Sequence, residues 1–208
     1  EQQERELESL YLTELHDDVA EVLQSATVRL DGLNYRNETL KNIINNYIEN
    51  GEFAGISEMQ CNAIILSNAL ATFISPLVSL DEIDSSGMSL LIQNKELRRM
   101  LTHYRLQNSQ TTREVNQMFS VGHVLSDQYP TIIDLKSDMY GLDIKSMEGN
   151  TCFKKNIAEH PDFGNKLVSN ANYHDIYTIL MNLQFNLLEK IHVVIDKEIN
   201  IIHKVDAK

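Results

Sequence analysis

Glu189 and His192 stand three residues apart, the spacing by which helical bundles present two metal ligands from one helix face. A dinuclear carboxylate centre needs a second Glu-x-x-His and two further Glu residues, and no other histidine here completes that pattern. His192 therefore reads as a solvated or capping side chain. His16-Asp17-Asp18 and His174-Asp175 lie near the starts of the first and last helical patterns, and metal binding would need them to converge within bonding distance. A solvated helix face is the simpler expectation, and no metal or other cofactor is expected.

Cys61 and Cys152 have neither the paired spacing of a zinc site nor that of a redox motif. They are either two separate buried thiols or, in an oxidising compartment, a disulfide. A bridge would contribute ~4–5 kcal/mol by restricting the unfolded chain.

A polar run, with Arg105, Gln107, Asn108, Thr111 and Thr112 as its candidate ligand-binding residues, interrupts an otherwise apolar stripe. It is either a solvated section or the lining of a binding site. Arg98 and His103 repeat the arginine-four-residues-histidine spacing of helical ribonucleases of the HEPN type, but a helical step of five sets the two side chains apart. Asn37-Glu38-Thr39 fits a glycosylation acceptor, a pattern without meaning in a bacterial chain. Gly-rich phosphate loops and nucleophile elbows are absent.

With 18 basic and 30 acidic residues the net charge is −12, which opposes binding to phosphate backbones. The few basic clusters, Arg98-Arg99 with Arg105 and Lys154-Lys155, have no interleaved aromatics, so no nucleic-acid partner is expected. The 208 residues are enough to bury a core as a single domain without metal or disulfide. No window of eighteen uncharged apolar residues occurs.

These residues must be held by helices. Only 8 Gly and 3 Pro punctuate the chain. Apolar residues from Tyr11 through Leu15, Val19, Val22, Ala26 and Leu40 to Tyr47 recur in steps of three and four, which predicts a long helix over about 2–50, open to a bend at Gly32. A second helix is predicted over 57–75, from the Ser57 cap to Pro76. Ser79 with Glu82 forms a capping box for a short helix over 79–86, and Gly87 ends it in the left-handed conformation. Asn94 caps a helix over 94–129, whose stripe includes Leu97, Leu101 and Tyr104. Residues 130–170, with turn signals at Gly141 and Gly149-Asn150, read as irregular, with a short helix from Pro161 to about Asn170. Asn172 caps a final helix over 172–205, whose stripe runs through Tyr173, Ile176, Leu180, Leu183, Leu187, Ile191, Val194, Ile195, Ile202 and Val205. The predicted fold is all-α, an elongated antiparallel bundle with long first and last helices and a loop-rich insertion.

The run from Leu80 to Arg98, with Ser86-Gly87, Leu91-Ile92, Asn94, Leu97, Arg98, Leu101 and Tyr104, is similar to the signature of an uncharacterised bacterial single-pass membrane-anchored family, a domain of unknown function. The resemblance is strongest over this structural corner, Ser79, Glu82, Gly87, Asn94, Leu97, Arg98 and Tyr104, and Gln2 to Glu6 looks like the charged start of the family's long helix. It implies a membrane anchor in a missing N-terminal helix and places the domain on the periplasmic or extracytoplasmic side of an inner membrane. That location favours the Cys61–Cys152 disulfide over free thiols. The family carries no catalytic residues to transfer. The expected function is a non-enzymatic extracytoplasmic helical domain that senses a ligand or binds a partner protein, with a possible homodimer built on long helices. The alternative is a metal-dependent or hydrolytic helical-bundle enzyme.

Overall fold

Stripes of apolar residues with few breakers produce long helices, and the computed structural model is all-α with long first and last helices and little strand. It describes residues 2–51, 53, 55–85, 87–135, 149–157 and 159–206. Gly141 and its turn signal lie outside these. Helix α1 spans Gln2–Asn50, α2 Glu58–Ile65, α3 Val78–Ser85, α4 Lys95–Val121, α5 Leu125–Gln128, α6 Lys154–Ile157 and α7 Asp162–Asp206. A two-residue antiparallel pair, β1 (Ile133–Asp134) with β2 (Thr151–Cys152), aligns Ile133 with Cys152. Among the described residues no helix is long and apolar enough to cross a membrane.

The described residues fall into two compact units, one within 1–29, 72–112 and 181–208, the other within 30–71 and 113–180. In the first, Leu12, Leu15, Val19 and Ala26 of α1 are fully buried, as are Leu97 of α4 and Leu188, Ile191 and Ile195 of α7. Each of these Leu, Val and Ile side chains contributes about 1.5–3 kcal/mol by leaving water. In the second, Leu40 and Ile43 of α1 share a core with Ile64 and Ile65 of α2, Tyr129, Ile132 and Phe163. Here α1 and α7 run antiparallel, since Asn37 meets Asp175 and Tyr47 meets Gly164. Tyr47 lies so close to Gly164 that a Cβ there would sit 2.6 Å from its hydroxyl.

Helix α1 passes Gly32 unbroken and ends where Gly51, at φ +67°, donates its N–H to Tyr47 O at 2.9 Å. The Ser57 cap completes a capping box with Gln60. Three predicted helices have different bounds.

The helix predicted over 57–75 stops at Ile65 with a 3-10 turn over Leu66–Asn68. Buried Ser67 and Asn68 follow, and the chain then unwinds so that side chains take its carbonyls. In the second unit Tyr177 OH donates to Ala71 O at 2.6 Å, and in the first Tyr104 OH donates to Ser75 O at 2.8 Å.

The helix predicted over 94–129 breaks after Val121, because the backbone of His123 bonds to the Asn170 side chain. The last helix starts at Asp162, ten residues before its predicted cap, so the short helix predicted from Pro161 to about Asn170 and the final helix are one, and Asn172 is an interior position.

Up to Leu183 helix α7 is also rolled differently from its apolar stripe, whereas from Ile191 to Ile195 the stripe faces inward as predicted. Ile176 and Leu183 are 48% and 51% exposed, whereas Asn170, His174, Thr178 and Gln184 are buried. Within the second unit, the hydrogen bonds of Asn170 and Tyr177 fix which face turns inward.

Candidate functional site

In the first unit the corner from α3 to α4 is held by specific polar contacts. Ser79 lies inside α3 rather than at its cap, and its N–H and Oγ both donate to Asp18 Oδ2, at 3.0 and 2.7 Å. A carboxylate reaching over from α1 thus takes the place predicted for the Ser79–Glu82 box, being the stronger acceptor at a helix N-terminus. Gly87 stands at φ +71° with its N–H on Asp84 O. Asn94 Oδ1 accepts from Leu97 N at 3.0 Å and its Nδ2 donates to Glu198 Oε1 at 2.7 Å. Glu8 Oε1 accepts from Gln93 N, and Arg98 donates to Ile92 O. Burial pushes the Tyr104 hydroxyl up to about 12.

Beside this corner lies a groove whose apolar floor includes Leu80, Ile83 and Leu101, with Arg98, Arg99 and His103 along it. The predicted polar stretch of α4 divides. Arg105, Asn108 and Thr112 line a smaller cleft with Pro76 and Leu77; Gln107 and Thr111 do not. Arg105 pairs with Asp84, and Asn108 Nδ2 donates to Ile74 O at 3.2 Å. Asn108 and Thr111 are buried, Gln107 and Thr112 half-buried and Arg105 exposed, so the run is solvated in part and in part the polar edge of the core, and only some of it lines the cleft.

Also in the first unit, His16 of α1 meets α7. Its partners are His192 and Asp196 and not the His174-Asp175 pair set beside it in the sequence reading. His16 Nε2 lies 2.9 Å from Asp196 Oδ1, His16 Nδ1 lies 3.2 Å from Asp17 Oδ1, and His192 Nδ1 lies 3.6 Å from Asp196 Oδ2. The two imidazoles stack with centroids 4.6 Å apart. Among the described residues these three are the group of His, Cys, Asp and Glu side chains whose ligand atoms gather within 4.8 Å. Sequence reasoning tested His192 with Glu189 and missed Asp196, although His192 and Asp196 are one helical turn apart on one face.

In the second unit His174 is fully buried, its Nε2 without a hydrogen-bond partner. Burial, helped by the positive charge of Arg36, drives its pKa down to about 3, so it is neutral. Its neighbour Asp175 accepts from Lys41 Nζ at 2.7 Å and Asn37 Nδ2 at 2.9 Å, and these contacts hold its carboxyl below the usual range. Asn37, the glycosylation-type asparagine, is buried. Cys61 of α2 and Cys152 of β2 form a disulfide with Cα atoms 5.5 Å apart.

No protein-family model, curated protein or solved structure matches the chain.

Proposed function

We propose that the chain is a non-enzymatic extracytoplasmic helical domain of a membrane-anchored bacterial protein, which senses a ligand or binds a partner protein. The observation that carries the extracytoplasmic part of this reading is the Cys61–Cys152 bridge. Disulfides persist in oxidising compartments and are rare where thioredoxin and glutathione hold thiols reduced. The likeness of the Leu80–Arg98 run to a membrane-anchored family supports the same side of the membrane. The groove beside the corner, apolar along its floor and lined by Lys95, Arg98 and Arg99 against Asp84 and Glu96, supports a ligand with an apolar body and an anionic group.

Acid-quenched cells probed with a thiol-alkylating reagent test the compartment. Both cysteines should resist modification until a reductant is added; free thiols in freshly quenched cells would overturn the reading. A thermal-shift screen of amphipathic anions against the purified domain tests the ligand, and Arg98→Ala with Arg99→Ala should abolish any shift found.

A further inference from the structure

We propose that His16, His192 and Asp196 form a binding site for one divalent transition-metal ion of the zinc class. Imidazole is the ligand such ions favour, and two imidazoles with one carboxylate form a three-ligand set that leaves a position open. Around a tetrahedral zinc, with bonds near 2.0–2.2 Å, neighbouring donor atoms are about 3.4 Å apart. His16 Nε2 lies 2.9 Å from Asp196 Oδ1, His192 Nδ1 lies 3.6 Å from Oδ2 of the same carboxylate, and one ligand atom from each of the three residues lies within 4.8 Å of the others. Closing the set on one ion requires the stacked imidazoles to turn until both lone pairs converge.

His16 is placed between two carboxylates. Both its ring nitrogens face carboxylate oxygens, Nδ1 that of Asp17 at 3.2 Å and Nε2 that of Asp196 at 2.9 Å. Ionised carboxylates only accept, and a neutral imidazole has one N–H to give. A metal ion on the Nε2 side would engage His192 as well, which stacks on His16 and lies 3.6 Å from Asp196 Oδ2. With Nδ1–H given to Asp17, His16 turns the lone pair of Nε2 toward the ion. This carboxylate-histidine-metal arrangement orients a ligand and raises its basicity.

The scaffold suits the role. His192 and Asp196 are one turn apart on α7, and His16 stands on the long helix α1, so the donors are carried by helices and not by loops. The side chains of His16, His192 and Asp196 are 27%, 28% and 47% exposed, which leaves a path for the ion and room for a water as fourth ligand. The net charge of −12 concentrates cations at the surface. With two nitrogens in the set, Mg2+ and Ca2+, which require oxygen, are disfavoured. The site stands on the geometry of this unit and does not depend on the compartment.

Titration calorimetry of the chelator-stripped protein with Zn2+ should give one ion per chain, with no competition from excess Mg2+. Long-range 1H–15N spectra should show the ring signals of His16 and His192 moving on Zn2+ addition while those of the other histidines stay. Asp17→Asn should weaken binding about tenfold and His192→Gln by about a hundredfold or more, with unchanged far-UV circular dichroism. Absence of stoichiometric binding, an unchanged affinity in folded His192→Gln, or movement of other histidine signals instead would each overturn the site. The ring spectra of the unaltered protein decide the matter even if a variant fails to fold.

Discussion

Asn170 takes both backbone groups of His123: its Oδ1 accepts from His123 N and its Nδ2 donates to His123 O, each at 2.8 Å, while the same Nδ2 reaches Ser67 Oγ at 2.9 Å. The asparagine is fully buried, so water cannot replace it. Asn170→Ala leaves the half-buried His123 N–H and carbonyl without these bonds and should cost about 1–3 kcal/mol in chemical denaturation. Asn170→Asp, which retains the acceptor and loses the donor, should also destabilise.

Gly87→Ala isolates a backbone effect. A Cβ there meets nothing within 4 Å, yet φ is +71°, so the substitution should destabilise by about 1–2 kcal/mol through strain alone. A neutral result in urea unfolding would remove the left-handed corner from the account of this region.

His174 makes stability fall in acid. Its pKa in the folded chain is about 3 against 6.5 when exposed, so below pH 6.5 the unfolded chain takes up a proton that the folded chain refuses. Its contribution should be lost at about 1.4 kcal/mol per pH unit as pH falls from 6.5 toward 3. His174→Gln removes the titrating group. The stability difference between the two proteins, measured at pH 7 and pH 4.5, should shift in favour of the variant at the lower pH.

Reduction of Cys61–Cys152, which joins residues 91 apart, should lower unfolding free energy by roughly 4–5 kcal/mol on the loop-entropy account. Denaturation with and without reductant measures this. Cys61→Ala with Cys152→Ala should reproduce the loss and make the protein indifferent to reductant.

Local rules were readable from the residues and long-range ones were not. The all-α class and the long first and last helices follow from periodicity and scarce breakers. The Asn94 cap and the Gly87 turn involve partners within three residues. The break after Val121 depends on Asn170, 47 positions from His123, and the early end of α2 comes with the burial of Ser67 and Asn68. No window of sequence contains those partners. The same holds for the roll of α7, where an apolar stripe through Ile176 and Leu183 yields to a face that makes hydrogen bonds. For the histidine cluster, His16 and His192 were each visible as candidates. Their meeting depends on the register of two helices, with His16 and Asp196 180 residues apart, which composition and spacing do not encode.

The closeness of Tyr47 to Gly164 bears on how this protein can be engineered. Replacing helical glycines with alanine is a common route to thermostability, worth about 1 kcal/mol each where the space is open. Gly32, exposed and with nothing within 4 Å of a new Cβ, is the position to choose, and Gly32→Ala should raise the melting temperature. At Gly164 the same change would drive a methyl group into the Tyr47 ring, 2.7 Å from Cζ. Two glycines that a propensity table treats alike are thus one opportunity and one prohibition, told apart only by what leans on them.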